Sequence, residues 1–301
     1  MPGQPESQPS QLRKPIFIVG VGRSGSTVFQ AMLSEHPNLA WLSALTGRLP
    51  DRLWATRLWM RAIDLPLVGS RLCRVIYPGE CFDFWEHHVP GFSAPCRDLV
   101  AGDVTERTKQ RLRRLLPQVL TERRNRLLVK LTGWPRIAFM REVFPDARFI
   151  HLIRDGRAVV NSMLNVDWWW GWRGPQNWRW GELTQAQQQE WEAHDRSFVA
   201  LAAIEWKLLM DAFEQASESV DPGSYLEVTY KDLCSAPLEL LQQVTTFCDL
   251  PWSPAFERSL TSYRLRNTND KWQRELTPSQ QQTLEEVLAP YLERYGYARS
   301  R

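Results

Sequence analysis

Residues 15–33 read PIFIVGVGRSGSTVFQAML, and the order of side chains in this stretch decides how the rest of the chain is built. Ile16, Phe17, Ile18 and Val19 form an unbroken apolar run that ends at Gly20. Such a run suits a strand buried on both faces, as in a parallel sheet, because a half-exposed strand would alternate with polar residues. Gly22 and Gly25 follow, and from Thr27 onward Val28, Met32 and Leu33 recur at helical spacing. Glycines here let the backbone turn and come close to a ligand without β-carbon clashes. Strand, loop and helix start together make an anion site, since free amides and the positive end of the helix dipole face the loop.

The spacing from Gly20 to Gly25 is that of a nucleoside-triphosphate P-loop, but Ser26 stands where lysine is expected, followed by Thr27. The cation lies inside the loop as Arg23. This pattern predicts a phosphate cradle without the usual NTPase chemistry.

Further strands are predicted in HPNLAWLS (36–43), in Leu127–Val129 ending at Lys130, in RFIHLIRD (148–155) and in SYLEVTY (224–230). Helices are expected over 103–126 with Asp103 as N-cap, over about 184–216 with a Thr184/Gln187 capping box, and after Thr277 with Pro278 and Gln280. Alternating strand and helix predicts an α/β fold: a P-loop-like central parallel sheet flanked by helices on both faces. Ligands of such sheets collect outside the strand C-termini, where Gly20, Lys130 and Arg154 would meet. Residues 1–14, rich in Pro, Gln and Ser, are expected to form a disordered tail, and 15–301 a single domain.

With 301 residues the chain can bury a sizeable core, and its net charge of +3 is too mild for a nucleic-acid binder. No run approaches the ~20 apolar residues of a membrane span, and the first residues show no apolar leader segment, so a cytoplasmic protein is expected. Cys73, Cys81, Cys96, Cys234 and Cys248 form no C-x-x-C pair, which favours a reducing compartment and leaves no zinc ligand set.

Arg23, Ser24, Gly25, Ser26 and Thr27 match, in order, the (K/R)-S-G-(S/T)-T loop of the sulfotransferases that use 3′-phosphoadenosine 5′-phosphosulfate (PAPS). The chain resembles that family in three more places. RDGRAVVNS sets Arg154 and Ser162 at the eight-residue spacing with which the family grips the 3′-phosphate, although Gly156 replaces the usual proline. VTYKDL is similar to the strand end whose tyrosine lies by the adenine, which nominates Tyr230. RNTNDKWQREL is similar to the late loop that returns to the 3′-phosphate, which nominates Lys271 and, through its packing, Trp272. The resemblance implies PAPS as donor with the nucleotide PAP as product, no metal, and Gly22 and the loop residues as phosphosulfate ligands. A small-molecule, lipid or carbohydrate acceptor with a hydroxyl or amine is implied, and the oligomeric state is left open.

Charge builds on the departing phosphate during transfer, and Arg23, the loop amides and Lys130 are placed to stabilise it. The acceptor also needs a base. The family's alternatives are absent: Thr132 and Gly133 stand where some members have histidine, and Ser43 and Ala44 where others have glutamate. Glu80, Asp83, Glu86, His87 and His88 remain, of which His88 and Glu80 are favoured for a shared helical face. Trp168, Trp169, Trp170, Trp172, Trp178 and Trp180 could form an acceptor lid, with Trp168 and Trp172 as contacts, or a packed corner. A P-loop small-molecule kinase and a nucleotide-binding module without turnover are the competing readings.

Overall fold

A computed structural model describes residues 12–65, 77–93 and 96–297. Five strands, β1 (Ile16–Gly20), β2 (Leu39–Trp41), β3 (Arg126–Thr132), β4 (Arg148–Ile153) and β5 (Tyr225–Thr229), form one sheet in the order β2-β3-β1-β4-β5. Every neighbouring pair is parallel. All five residues of β1 are buried. Successive strand residues point to opposite faces, so both faces of the sheet are covered, as the unbroken apolar run requires.

The glycine loop leads into helix α1 (Ser26–Ser34), whose N-cap is Gly25 in the left-handed region at φ 93°. A β-carbon there would lie 2.4 Å from Tyr230 Cδ2, so only glycine fits. Ile18 pairs with Lys130 and Val19 with His151, which aligns the ends of β1, β3 and β4 at one edge.

Several local expectations need correction. β3 runs two residues past Lys130 to Thr132, so Lys130 lies inside the strand. The helix expected from Asp103 is capped by Thr105, whose side chain accepts from the Thr108 amide, while Asp103 is held by Arg97. That helix ends at Leu115 and tightens into a short turn at Leu116–Val119. Pro117, which lacks an amide hydrogen, lies in that turn. The single long helix over 184–216 is two, Gln185–Ala193 and Phe198–Glu218, separated by Asp195 and Arg196 at positive φ. The capping boxes at Thr184 and Thr277 form as expected.

Residues 1–11 of the expected tail lie outside the described residues, as does Cys73. Residues 12–14 pack against the domain instead: Leu12 is buried, and Lys14 donates its amide to Asp146 Oδ2 while its carbonyl accepts from Arg126. The remaining four cysteines are unpaired. Among the described residues no helix is long and apolar enough to cross a membrane.

Candidate functional site

Two cavities open at the carboxyl edge of the sheet and share Arg23. The smaller, about 370 Å³, is walled by Trp134, Trp168, Trp169 and Trp180, with Glu80, Thr132 and Glu205 as polar groups. The larger, about 410 Å³, is polar and holds Arg154, Asn161, Ser162 and Lys271.

Arg23 belongs to both because of its backbone. Its φ of 69° is left-handed, which is costly for a residue with a β-carbon. From there Arg23 Nε donates to Ser162 Oγ at 2.9 Å, and its guanidinium lies 5.7 Å from the Trp168 ring centre. Arg154 donates to the Arg23 carbonyl at 2.9 Å, to Asn269 Oδ1 at 3.0 Å and to Thr268 Oγ1 at 2.9 Å. Burial lowers its pKa from the ordinary value, yet a guanidinium stays charged. Lys130 Nζ donates to Thr27 Oγ1 at 2.9 Å. Burial also pulls the Lys130 ammonium down, and the nearby Glu80 carboxylate opposes that shift.

Polar atoms around the loop remain unsatisfied by protein. Ser24 Oγ and, in the polar cavity, Asn161 Oδ1 are buried without a partner. Buried polar groups are rarely left so unless a ligand or water completes them. The Ser24 hydroxyl can donate, and with the close turn at Gly25 and the cations Arg23, Arg154 and Lys271 it fits an anionic, phosphate-bearing ligand, whereas Asn161 Oδ1 can only accept.

Glu80 reaches the aromatic cavity through a segment tied to the sheet. Gly79 donates its amide to the Leu42 carbonyl, and Ser43 bridges Pro78. The helix begins only at Phe82, after Cys81 at φ 54°, so Glu80 and His88 do not share a helical face. Glu80 Oε1 accepts from Thr132 Oγ1 at 2.5 Å. His88 is 3 % exposed and lies outside the cavity lining, edge-on to Phe84, with Nε2 facing the Pro50 carbonyl at 3.0 Å. Asp51, His87 and His88 gather ligand-type atoms within 4.8 Å of one another. Hydrogen bonds account for this cluster: His87 Nε2 meets Asp51 Oδ2 at 2.9 Å, and His88 is turned to Pro50.

The structure therefore brings together Gly22, Arg23, Glu80 and Trp168 in one cavity and Arg23, Arg154, Ser162 and Lys271 in the other. Lys130 adjoins α1 through Thr27. Tyr230 is buried against Gly25 with the Arg154 guanidinium 4.5 Å from its ring centre. Trp272 is buried at the start of a short helix with Arg157 stacked 4.8 Å from its ring centre. Trp172 lies outside the lining, its indole bonded to the Val166 carbonyl and its ring edge-on to Trp169 and Phe198.

Sequence reasoning missed Trp134, Arg136 and Glu205 as cavity residues, and it gave Trp169 and Trp180 no specific part. Glu205 had a signal: it is an acidic residue in the apolar run FVALAAIEWKLLM. Burial pushes its carboxyl up to about 7, against the indole donors of Trp169 and Trp180 and the charge of Arg179.

Known proteins resemble this chain in sequence and in fold. The chain is 25% identical over 238 residues to protein-tyrosine sulfotransferase A of Caenorhabditis elegans, covering 79% of this chain and 50% of that protein. It is 27% identical over 196 residues to the omega-hydroxy-beta-dihydromenaquinone-9 sulfotransferase Stf3 of Mycobacterium tuberculosis, covering 64% and 46%. The chain thus spans about half the length of these curated relatives. The crystal structure of sulfotransferase STF9 from Mycobacterium avium superposes with a TM-score of 0.59 at 18% identity, covering 97% of this chain and 79% of the other, and so shares its fold. The sequence profile described as "Sulfotransferase family" matches residues 15–254, and the chain belongs to that family.

Proposed function

We propose that the protein moves a sulfuryl group from PAPS to a hydroxyl, or an amine, of a small-molecule, lipid or carbohydrate acceptor. One observation carries this reading: Arg23 stands at the junction of a polar cavity with further cations and an aromatic cavity that holds Glu80 and Glu205 alongside Arg136 and Arg179. Donor and acceptor held in the two cavities would meet at that guanidinium. Bound PAPS supplies the activated sulfuryl group and a phosphate leaving group.

The chain's own residues divide the remaining work. Arg154, Ser162 and Lys271 hold the 3′-phosphate, and Ser24, Ser26, Thr27 and the amides of the Gly22–Gly25 turn hold the 5′ side. Tyr230 keeps Arg154 and the turn in place, and it would lie on the adenine side of the bound nucleotide. Arg23 and Lys130 stabilise the charge that grows on the departing phosphate. Glu80 takes the acceptor's proton, since its carboxylate lies in the aromatic cavity and is oriented by Thr132. His88 serves packing in this reading. Trp168, 64 % exposed beside Arg23, covers the acceptor. Neither the phosphate chemistry nor this set of groups calls for a metal. The unpaired cysteines support a reducing compartment such as the cytoplasm.

Thermal melting tests the assignment. PAP should raise the melting temperature more than ATP does, because Arg154 and Ser162 recognise a 3′-phosphate that ATP lacks, and a ligand at ~100 times its Kd adds about 2.7 kcal/mol. Equal stabilisation by ATP, or loss of the effect in EDTA, contradicts the assignment and favours a kinase.

A further inference from the structure

Helix Phe198–Glu218 is apolar along its first half, and residues 199–206 are all buried. Glu205 stands within that run, 2 % exposed. A carboxyl in such surroundings is costly unless donors surround it. Trp169 Nε1 donates to Glu205 Oε2 at 2.7 Å, and the Trp180 indole donates to the same carboxyl.

Both indoles belong to the chain between Leu164 and Gln185, whose regular structure is one short turn at Trp170–Arg173. That chain wraps Trp169 tightly: a β-carbon at Gly171 would fall 2.0 Å from its ring. Trp180 lies against Gly133 and edge-on to Trp134, and it lines the same cavity as they do. Two aromatic walls from a loop are thus pinned to a rigid helix through one side chain. Trp178 and Trp172 make their indole hydrogen bonds within the loop itself, to Gly181 and Val166, and Trp172 meets the helix through its ring edge at Phe198.

We infer that Glu205 is a positioning residue for acceptor specificity, holding the indoles of Trp169 and Trp180 as fixed walls and so deciding which acceptor bodies fit beside Glu80 and Arg23. This rests on the reading of the aromatic cavity as the acceptor site. An apolar side chain at 205 strands two indole N–H groups, and each ring then turns to find another acceptor. Glutamine keeps an oxygen that accepts from an indole but replaces the other with a donor, so it preserves part of the clamp.

Fluorine NMR of the full chain carrying 5-fluorotryptophan reads the clamp directly, with Trp169→Phe and Trp180→Phe assigning the two resonances. Glu205→Leu should shift and broaden both, and Glu205→Gln should move them less. In parallel, kcat/KM is compared for 2-naphthol and a bulkier hydroxysteroid. Their ratio should change at least ~tenfold in Glu205→Leu, as a displaced wall repositions the acceptor, while the KM for PAPS stays unchanged. Trp169→Phe combined with Glu205→Leu should add little to Glu205→Leu alone.

Unmoved resonances in Glu205→Leu overturn the inference, and so does an unchanged ratio or an equal loss of PAPS affinity. Should Glu205→Leu fail to fold, Glu205→Gln carries the test on the same two resonances, and parent-like spectra and ratio there overturn it. A parent enzyme that transfers to neither probe rules out these two acceptors and not the proposed function, and the fluorine spectra still decide the clamp.

Discussion

Gly20, Thr132 and Arg154 come to one edge, with Lys130 two residues inside it, because β1, β3 and β4 are adjacent and in parallel register, whereas Trp169, Trp180 and Glu205 meet because a loop folds back on a helix. The proposed donor side is therefore set by backbone hydrogen bonding, and a side chain removed there is expected to leave the scaffold in place. The proposed acceptor wall includes packed core, with Trp169 4 % exposed, so in that reading specificity and stability share groups. Chemistry and fold can be separated by mutation at the first site. They are entangled at the second.

The largest expected effect is on rate. Lys130→Ala should lower kcat by roughly 10²- to 10³-fold, the usual loss for one donor at a developing charge, while PAP still raises the melting temperature. A collapse of the fold in this variant would erase the contrast between the two regions.

Arg154→Ala should weaken PAP by roughly 2 to 4 kcal/mol with little change in stability without ligand, measured by titration and melting. The Tyr230 ring under Arg154 makes this the sharper test, because a large stability loss would show that the donor side is also core.

The acceptor side should reveal itself by pH. Glu205 has its carboxyl raised from 4.5 to about 7 by burial, so the folded state holds the proton more tightly than the unfolded chain. Its contribution is fully present below about pH 4.5 and is lost as pH rises toward 7, by on the order of 3 kcal/mol. Urea midpoints of the parent and Glu205→Gln should converge on one side of that window and diverge on the other. A parent–variant difference that does not vary with pH would mean that Glu205 keeps an ordinary pKa.

The smallest effect marks the boundary between the regions. Trp168→Ala should change stability by under ~0.5 kcal/mol, because the ring is largely exposed, yet raise the acceptor KM. An unchanged KM removes Trp168 from the acceptor site.

What was legible in the sequence follows the same division. The strands, the glycine loop and Arg154 with Ser162 lie in contiguous motifs, where spacing along the chain translates directly into position at the sheet edge. The helical face shared by Glu80 and His88 was a plausible period-four pattern, but the left-handed Cys81 starts the helix after Glu80. The break between the helices Gln185–Ala193 and Phe198–Glu218 was hidden because Asp195 and Arg196 adopt positive φ without a glycine to announce it. Glu205 was visible as an acid in an apolar run, but nothing along the chain says which indoles will reach it.

The strand order has a kinetic consequence. β1 occupies the middle of the sheet, yet its partners begin at Arg126 and Arg148, and the last strand ends at Thr229. β1 is made before both of its partners and waits unpaired until β3 and β4 have followed it, a high-contact-order arrangement that folds slowly and invites aggregation. Arg23 and Arg154 cannot meet before that wait is over, so nucleotide capture during synthesis would report that β1 and β4 had paired.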